Sequence, residues 1–187
     1  MAEPTNLTGH LLIAMPAMQD PNFHRTVTYV CEHGEQGVLG LVINRPLDIH
    51  FSEVLAQLAL EPHNEAVGAQ PILQGGPVEL QRGFVIHQAP REWESTVSVT
   101  DNIFVTTSRD IIAAMANGTG PEHALLILGY AGWGPGQLER EIQENAWLSV
   151  PASPRIIFET PFKDRWQQAA TLLGVDLTTI SNQAGHA

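Results

Sequence analysis

The chain has 187 residues, 43% of them hydrophobic and 16% charged, and its 20 acidic side chains against 9 basic ones give a formal charge of -11. A chain of this length suits one domain, which buries about 70% of the surface its unfolded form exposes. So acidic a body, with Lys163 its single lysine, repels phosphate backbones and anionic lipid surfaces, which argues against direct nucleic-acid binding and against a membrane-surface role.

Residues 10–14 read as a strand that ends before Pro16. Residues 25–31 are β-rich (Thr26, Val27, Thr28, Tyr29, Val30), and the near-continuous apolar run 38–43 suits a strand buried on both faces. With the polar turn 33–36 between them, the two runs predict a β-hairpin. Phe51, Val54, Leu55 and Leu58 fall at helical spacing and predict a helix over 51–60, stopped by Glu61-Pro62. Further strands are expected at 71–74, 83–88, 96–100 and 102–106. Ser108 is placed to cap a helix over 109–117, with Asp110 facing the positive end of its dipole and Gly118 as its stop.

Residues 124–130 carry another buried-strand pattern, followed by a glycine-rich loop and a helix over 136–145. Residues 155–159 read as a strand. Thr160 then stands as an N-cap before Pro161 at the first position of a last helix, with Phe162, Trp166, Ala169 and Leu173 on one face and Gly174 as its stop. The tail beyond Asp176 is expected to be loose. With no repeat and no linker, the chain reads as one domain over 1–187, its core spanning about 7–175. Strands and helices interleave without a regular βαβ rhythm, so a mixed-sheet α+β fold is expected.

No motif completes a catalytic or cofactor site. The stretch from Leu128 to Glu139 resembles a phosphate-binding turn, but the third glycine of a dinucleotide fingerprint would fall at Gln137, and a P-loop lysine is absent. It reads as a tight structural turn anchored by Trp133. Cys31 and His33 stand two apart on a strand, where side chains share a face, and an imidazole near a thiol lowers its pKa. The alternative is that Cys31 ends a buried strand as an inert apolar residue while His33 sits in the turn. Cys31 is the lone cysteine, so neither an intrachain disulfide nor a cysteine metal cage is available. Histidines at 10, 24, 33, 50, 63, 87, 123 and 186 show no metal-ligand spacing, and no metal or cofactor is expected. Gly75 and Gly76 would let a backbone approach a ligand closely, or would simply turn the chain before the next strand. The acidic N-terminus and the short apolar run 11–15 fit neither a leader nor a membrane span, so a cytoplasmic protein is expected.

If 25–31 and 37–45 pair with their turn at 33–36, Arg25 lies opposite Asn44, with Arg45 alongside and the loop 20–23 feeding the same end. Guanidinium forks there suit a carboxylate or phosphate, which makes Arg25, Asn44 and Arg45 candidate binders of a small anionic ligand. The other reading is that an arginine pairs with Asp20 and pins the loop.

In order along the chain, the stretches 10–18, 20–27, 31–33, 40–46, 75–78, 82–87, 108–110 and 128–138, with the closing Arg165-Trp166, resemble the AlgH/YqgE family of bacterial proteins. The resemblance implies a bent, branching mixed sheet partly closed into a small barrel and flanked by helices. It implies a transcriptional-regulator label, with no catalytic residue or cofactor to carry over. The leading expectation is a non-enzymatic binding or regulatory protein that acts through a protein partner or small ligand. The alternative is a small-molecule enzyme using Cys31 and His33 or another strand-end histidine.

Overall fold

The computed structural model describes residues 6–88 and 93–179. Ten strands form one curled sheet: β1 (His10–Ala14), β2 (Val27–Gly34), β3 (Gly37–Val42), β4 (Pro46–His50), β5 (Pro71–Gln74), β6 (Val78–His87), β7 (Thr96–Ser98), β8 (Phe104–Thr106), β9 (Ala124–Trp133) and β10 (Trp147–Pro151). Their main order is β10-β1-β2-β3-β9-β6-β8-β7, with the β4–β5 ribbon joined through β5 to β9. The β5–β9 pair is parallel, whereas the other pairs are antiparallel. Around the sheet pack the helices α1 (Phe51–Gln57), α2 (Glu65–Gly68), α3 (Arg109–Ala116), α4 (Gln137–Gln143), α5 (Pro154–Phe158) and α6 (Arg165–Thr171).

The sheet forks at β9. One edge of that strand serves β5 at Ile127 and Leu128 and then β3 at Ala131, Gly132 and Trp133, while β6 takes the other edge. The fork needs backbones closer than side chains allow. A Cβ on Gly75 would lie 2.3 Å from the Gly129 carbonyl oxygen, and one on Gly76 would lie 2.2 Å from that of Tyr130. Gly75 also donates to the Leu128 carbonyl and accepts from the Val42 N–H, both at 2.8 Å, stitching β3, β5 and β9 together. The expected ligand approach at Gly75 and Gly76 is thus occupied by the chain's own backbone.

The main core fills the concave side of the half-barrel with Leu11, Ile13, Tyr29, Leu41, Phe84 and Ile127, closed by Ile156 and Ile157 of α5 and Trp166 and Ala169 of α6. A second cluster, with Leu12, Ala14, Val30, Trp133, Leu138 and Trp147, lies under α4. A third packs Phe51, Leu55, Val85, Ile111, Met115 and Leu126 beneath α1 and α3. Strand β1 therefore alternates between two cores, which accounts for its unbroken apolar run.

Several expectations give way. Residues 155–159 are helical, not extended: α5 begins with Pro154 in its first turn behind Ser153, a helix-start signature that the β-branched pair Ile156-Ile157 masks. Pro161 is extended (φ -54°, ψ 142°), so the last helix starts as a 3-10 turn at Phe162–Asp164 and continues as α6 from Arg165. The Thr160 hydroxyl bonds the Arg155 carbonyl at 3.0 Å instead of capping that helix, and Leu173 is 41% exposed rather than on its buried face. Past Asp176 the chain is still tied down, with Leu177 buried in the main core; residues 180–187 lie outside the described ones. The strands β4 and β10 have no counterpart among the expected elements.

Arg165, 2% exposed, locks α6 to the sheet. Its guanidinium donates to the carbonyls of Thr160 and Ile43 and stacks 4.5 Å over Phe162. Burial lowers its pKa to about 10.

Candidate ligand groove

At the arginine-rich end of the β2–β3 hairpin the polar side chains are engaged by the chain itself. Strand β2 starts at Val27, and pairing of Thr28 with Val42 and Tyr29 with Leu41 is one residue out from the expected register. Continued outward, that register sets Asn44 opposite Thr26, not Arg25. The Asn44 amide closes the hairpin end, accepting from the Val27 N–H at 3.0 Å and donating to the Arg25 carbonyl at 2.9 Å. Arg45 donates to the carbonyls of Asn22 and His24 at 2.8 and 3.0 Å, and burial lowers its pKa against the opposing charge of Asp20. Arg25, at φ 56°, lays its guanidinium 5.1 Å over the Trp166 ring. The loop is pinned, but through carbonyls: among the described residues neither arginine forms an ion pair with Asp20.

Cys31 and His33 part company at a β-bulge. Val30 pairs with Gly40 and Glu32 with Leu39, so Cys31 is the extra residue and the alternation of faces slips there. Cys31 packs against the main core, while His33 stands opposite Val38 of the second cluster. Burial, and then the neighbouring Glu32 charge, pushes the Cys31 thiol up, which opposes thiolate formation. His33 accepts the Leu7 N–H at Nδ1 at 2.9 Å and bonds the Glu139 carboxylate through Nε2, tying the N-terminal segment to α4.

The glycine-rich turn is also committed to the fold. Strand β9 runs on to Trp133, the Gly134 N–H donates to the Gln137 side chain at 3.0 Å, and Gly136 takes the left-handed conformation at φ 75°. Glu141 accepts from the indoles of Trp133 and Trp147 at 3.2 and 3.0 Å, and the two rings meet edge-on at 5.8 Å. Trp133 is the anchor its sequence context suggests. Among the described residues no group of three His, Cys, Asp or Glu side chains is placed to hold a metal ion, and no helix is long and apolar enough to cross a membrane.

A candidate ligand site lies elsewhere, in a groove of about 550 Å³ between α1 and α3. Gly83, paired with Leu128 across β6 and β9, forms its floor with Leu128 and Leu126. Val54 of α1, Leu58 just past its end and Ile112 of α3 supply apolar walls. The groove continues the third cluster past Leu126, where side chains stop filling the space between helices and sheet. Gln57, Gln81, Thr107 and Arg109 bring polar groups to the lining. Sequence reasoning missed the site because Val54, Leu58, Leu126 and Leu128 each read locally as core. Gly83, inside a strand and outside any turn, is the available signal, since such a glycine marks a bulge or a close approach.

The forked half-barrel is shared with solved structures. Protein DIP2367 from Corynebacterium diphtheriae, 22% identical, has this fold at a TM-score of 0.71 over 90% of this chain and 87% of its own. A family profile described as AlgH-like matches residues 11–178, and the chain belongs to that family. The solution structure of the AlgH protein from Pseudomonas aeruginosa is 49% identical with a TM-score of 0.80, covering 100% of this chain and 99% of that one. A UPF0301 protein of Nitrosospira multiformis is 52% identical over 185 residues, 99% of this chain and 100% of its own. The expected α+β half-barrel and the family resemblance both hold.

Proposed function

We propose that the protein is a non-enzymatic binding protein that takes a small molecule into the α1–α3 groove. Any regulatory role runs through that ligand, or through a protein partner that responds to it, and not through direct DNA contact. The observation that carries this reading is the groove: its volume of about 550 Å³ falls in the range of roughly 300–1,000 Å³ that small-molecule sites occupy. An apolar floor with a few polar groups at the lining is the usual composition of such sites. The charge of -11 supports the exclusion of nucleic acid. The raised pKa of Cys31 and its separation from His33 weigh against the enzymatic alternative.

The neutral apolar fluorophore N-phenyl-1-naphthylamine tests the groove. Saturable fluorescence enhancement is expected with the unmodified protein, and its loss with Gly83→Leu, which fills the floor. Both proteins are melted alongside, and the variant is expected to keep its melting temperature. No saturable enhancement, or equal enhancement in a folded Gly83→Leu protein, refutes the reading.

A further inference from the structure

We infer that the groove takes a small amphipathic anion, its apolar body on the Gly83–Leu126–Leu128 floor and its carboxylate or phosphate at Arg109. The inference rests on the groove being a ligand site. Two independent features of the chain point to this chemistry.

The first is Gly83. The glycines at the fork are required there, since a Cβ on Gly75, Gly76 or Gly129 meets backbone at 2.7 Å or less. A Cβ on Gly83 would meet only the Leu126 and Leu128 methyl groups, each at 3.9 Å, which is ordinary contact. Its backbone is β-strand, open to any L-residue. Nothing in the packing demands glycine here, and its effect is to leave the leucine floor uncovered. A side chain at this position would occupy the space that an apolar ligand would fill.

The second is Arg109, one of only 9 basic residues in the chain. It is the first residue of α3, where the positive end of the helix dipole disfavours a cation. Among the described residues it makes no hydrogen bond or ion pair, although Asp110 is adjacent. Asp110 is fully engaged: it accepts from the Ser108 hydroxyl and from the N–H groups of Glu94 and Ile111. The one acid on the lining, Glu53, is engaged too, capping the His50 N–H at 2.7 Å. Arg109 is therefore a free fork beside an apolar floor, in a protein whose other carboxylates would repel an anion. A guanidinium binds carboxylate or phosphate oxygens in pairs, which orients the ligand as well as holding it.

The experiment displaces N-phenyl-1-naphthylamine with decanoate, decyl phosphate and 1-decanol, which share one apolar body and differ in the head group. Either anion is expected to bind about tenfold more tightly than the alcohol, a difference on the scale of one charge-assisted contact. The tighter of the two tells carboxylate from phosphate. Arg109→Gln is expected to keep binding the fluorophore while bringing the anions to parity with decanol. If decanol matches both anions, or if Arg109→Gln leaves their advantage intact, the anion assignment is wrong while the groove stands. If the fluorophore itself does not bind, the groove reading fails and this inference fails with it.

Discussion

Arg45 and Arg109 both stand at the end of a secondary-structure element, and the fold treats them oppositely. Arg45 reaches across to a neighbouring loop, and its two terminal nitrogens hold the carbonyls of Asn22 and His24, so its donors serve the loop 20–24. Arg109 turns to the rim of the groove and meets no partner among the described residues. The glycines divide the same way: Gly75, Gly76 and Gly129 are taken up by the fork, whereas Gly83 leaves space that nothing occupies. A residue type suited to ligand chemistry thus says little until its hydrogen bonds and its free volume are accounted for. What remains uncommitted after the fold is satisfied is the candidate for function.

The sharpest way to break that division is at the glycines. Gly76→Ala places a Cβ 2.2 Å from the Tyr130 carbonyl in a conformation, φ 155°, that L-residues rarely adopt. No flexible side chain is available to move away, so β5 and β9 must separate. The expected result is loss of the soluble fold, or destabilisation of about 4 kcal/mol or more, the range reserved for core disruption and backbone strain. Gly83→Ala is expected to be neutral, or stabilising by roughly 0.4–1 kcal/mol through a less flexible unfolded chain. Chemical denaturation of the two variants decides. Equal effects would erase the distinction between a glycine the fold needs and one it does not.

A smaller contrast is expected at the arginines. Arg45→Ala removes two hydrogen bonds to carbonyls of the exposed loop and is expected to cost about 1 kcal/mol. Arg109→Ala is expected to stay within about 0.5 kcal/mol, as surface changes without partners do. Urea midpoints at neutral pH measure both. A stable Arg45→Ala protein would reopen the hairpin end as a binding site for an anion.

Much of this was legible in the sequence, and the failures have definite causes. The hairpin, β1, β9 and α1 follow from their apolar patterns, and α3 follows from the start and stop residues Ser108, Asp110 and Gly118. Proximity of Arg25, Asn44 and Arg45 was also legible, since turn length sets which strand ends meet. Their roles were not, because a guanidinium bound to carbonyls looks the same in sequence as one awaiting a phosphate. The Cys31–His33 reading failed on one inserted residue: the bulge reverses which face follows Val30, and period-two reasoning has no access to it. The groove escaped because it is a gap between elements whose apolar lining reads locally as core, and Gly83 is the single local mark it leaves.

His87 tests the committed side of the comparison by pH, with the smallest expected effect. It is fully buried, stacked on Phe104 at 5.8 Å, with Nε2 2.7 Å from the Thr106 hydroxyl and Nδ1 3.2 Å from the Gln88 carbonyl. A neutral ring satisfies both contacts: Nδ1–H donates to Gln88, and Nε2 accepts from Thr106. The Thr106 oxygen can then accept from Thr96, 2.8 Å away, and the Thr96 oxygen takes the Trp93 N–H at 2.8 Å. Protonating Nε2 would reverse this relay and place a charge where water cannot reach it. Burial accordingly lowers the His87 pKa, with the Gln88 hydrogen bond opposing. The unfolded chain, with an ordinary imidazole pKa of about 6.5, therefore binds a proton before the folded protein does. The His87 contribution to stability is complete above about pH 6.5 and is lost as pH falls through the depressed folded value. Asp110 and Glu139, both lowered, act in the same direction at the lower pH of carboxylates, which separates the two windows. Urea midpoints measured from pH 7.5 to 5 should fall on the acid side for the unmodified protein. They should fall less steeply for His87→Gln, whatever that variant's stability at neutral pH. Parallel slopes in the two proteins would mean that His87 charges without penalty, and that a buried, fully partnered histidine is as free to titrate as one on the surface.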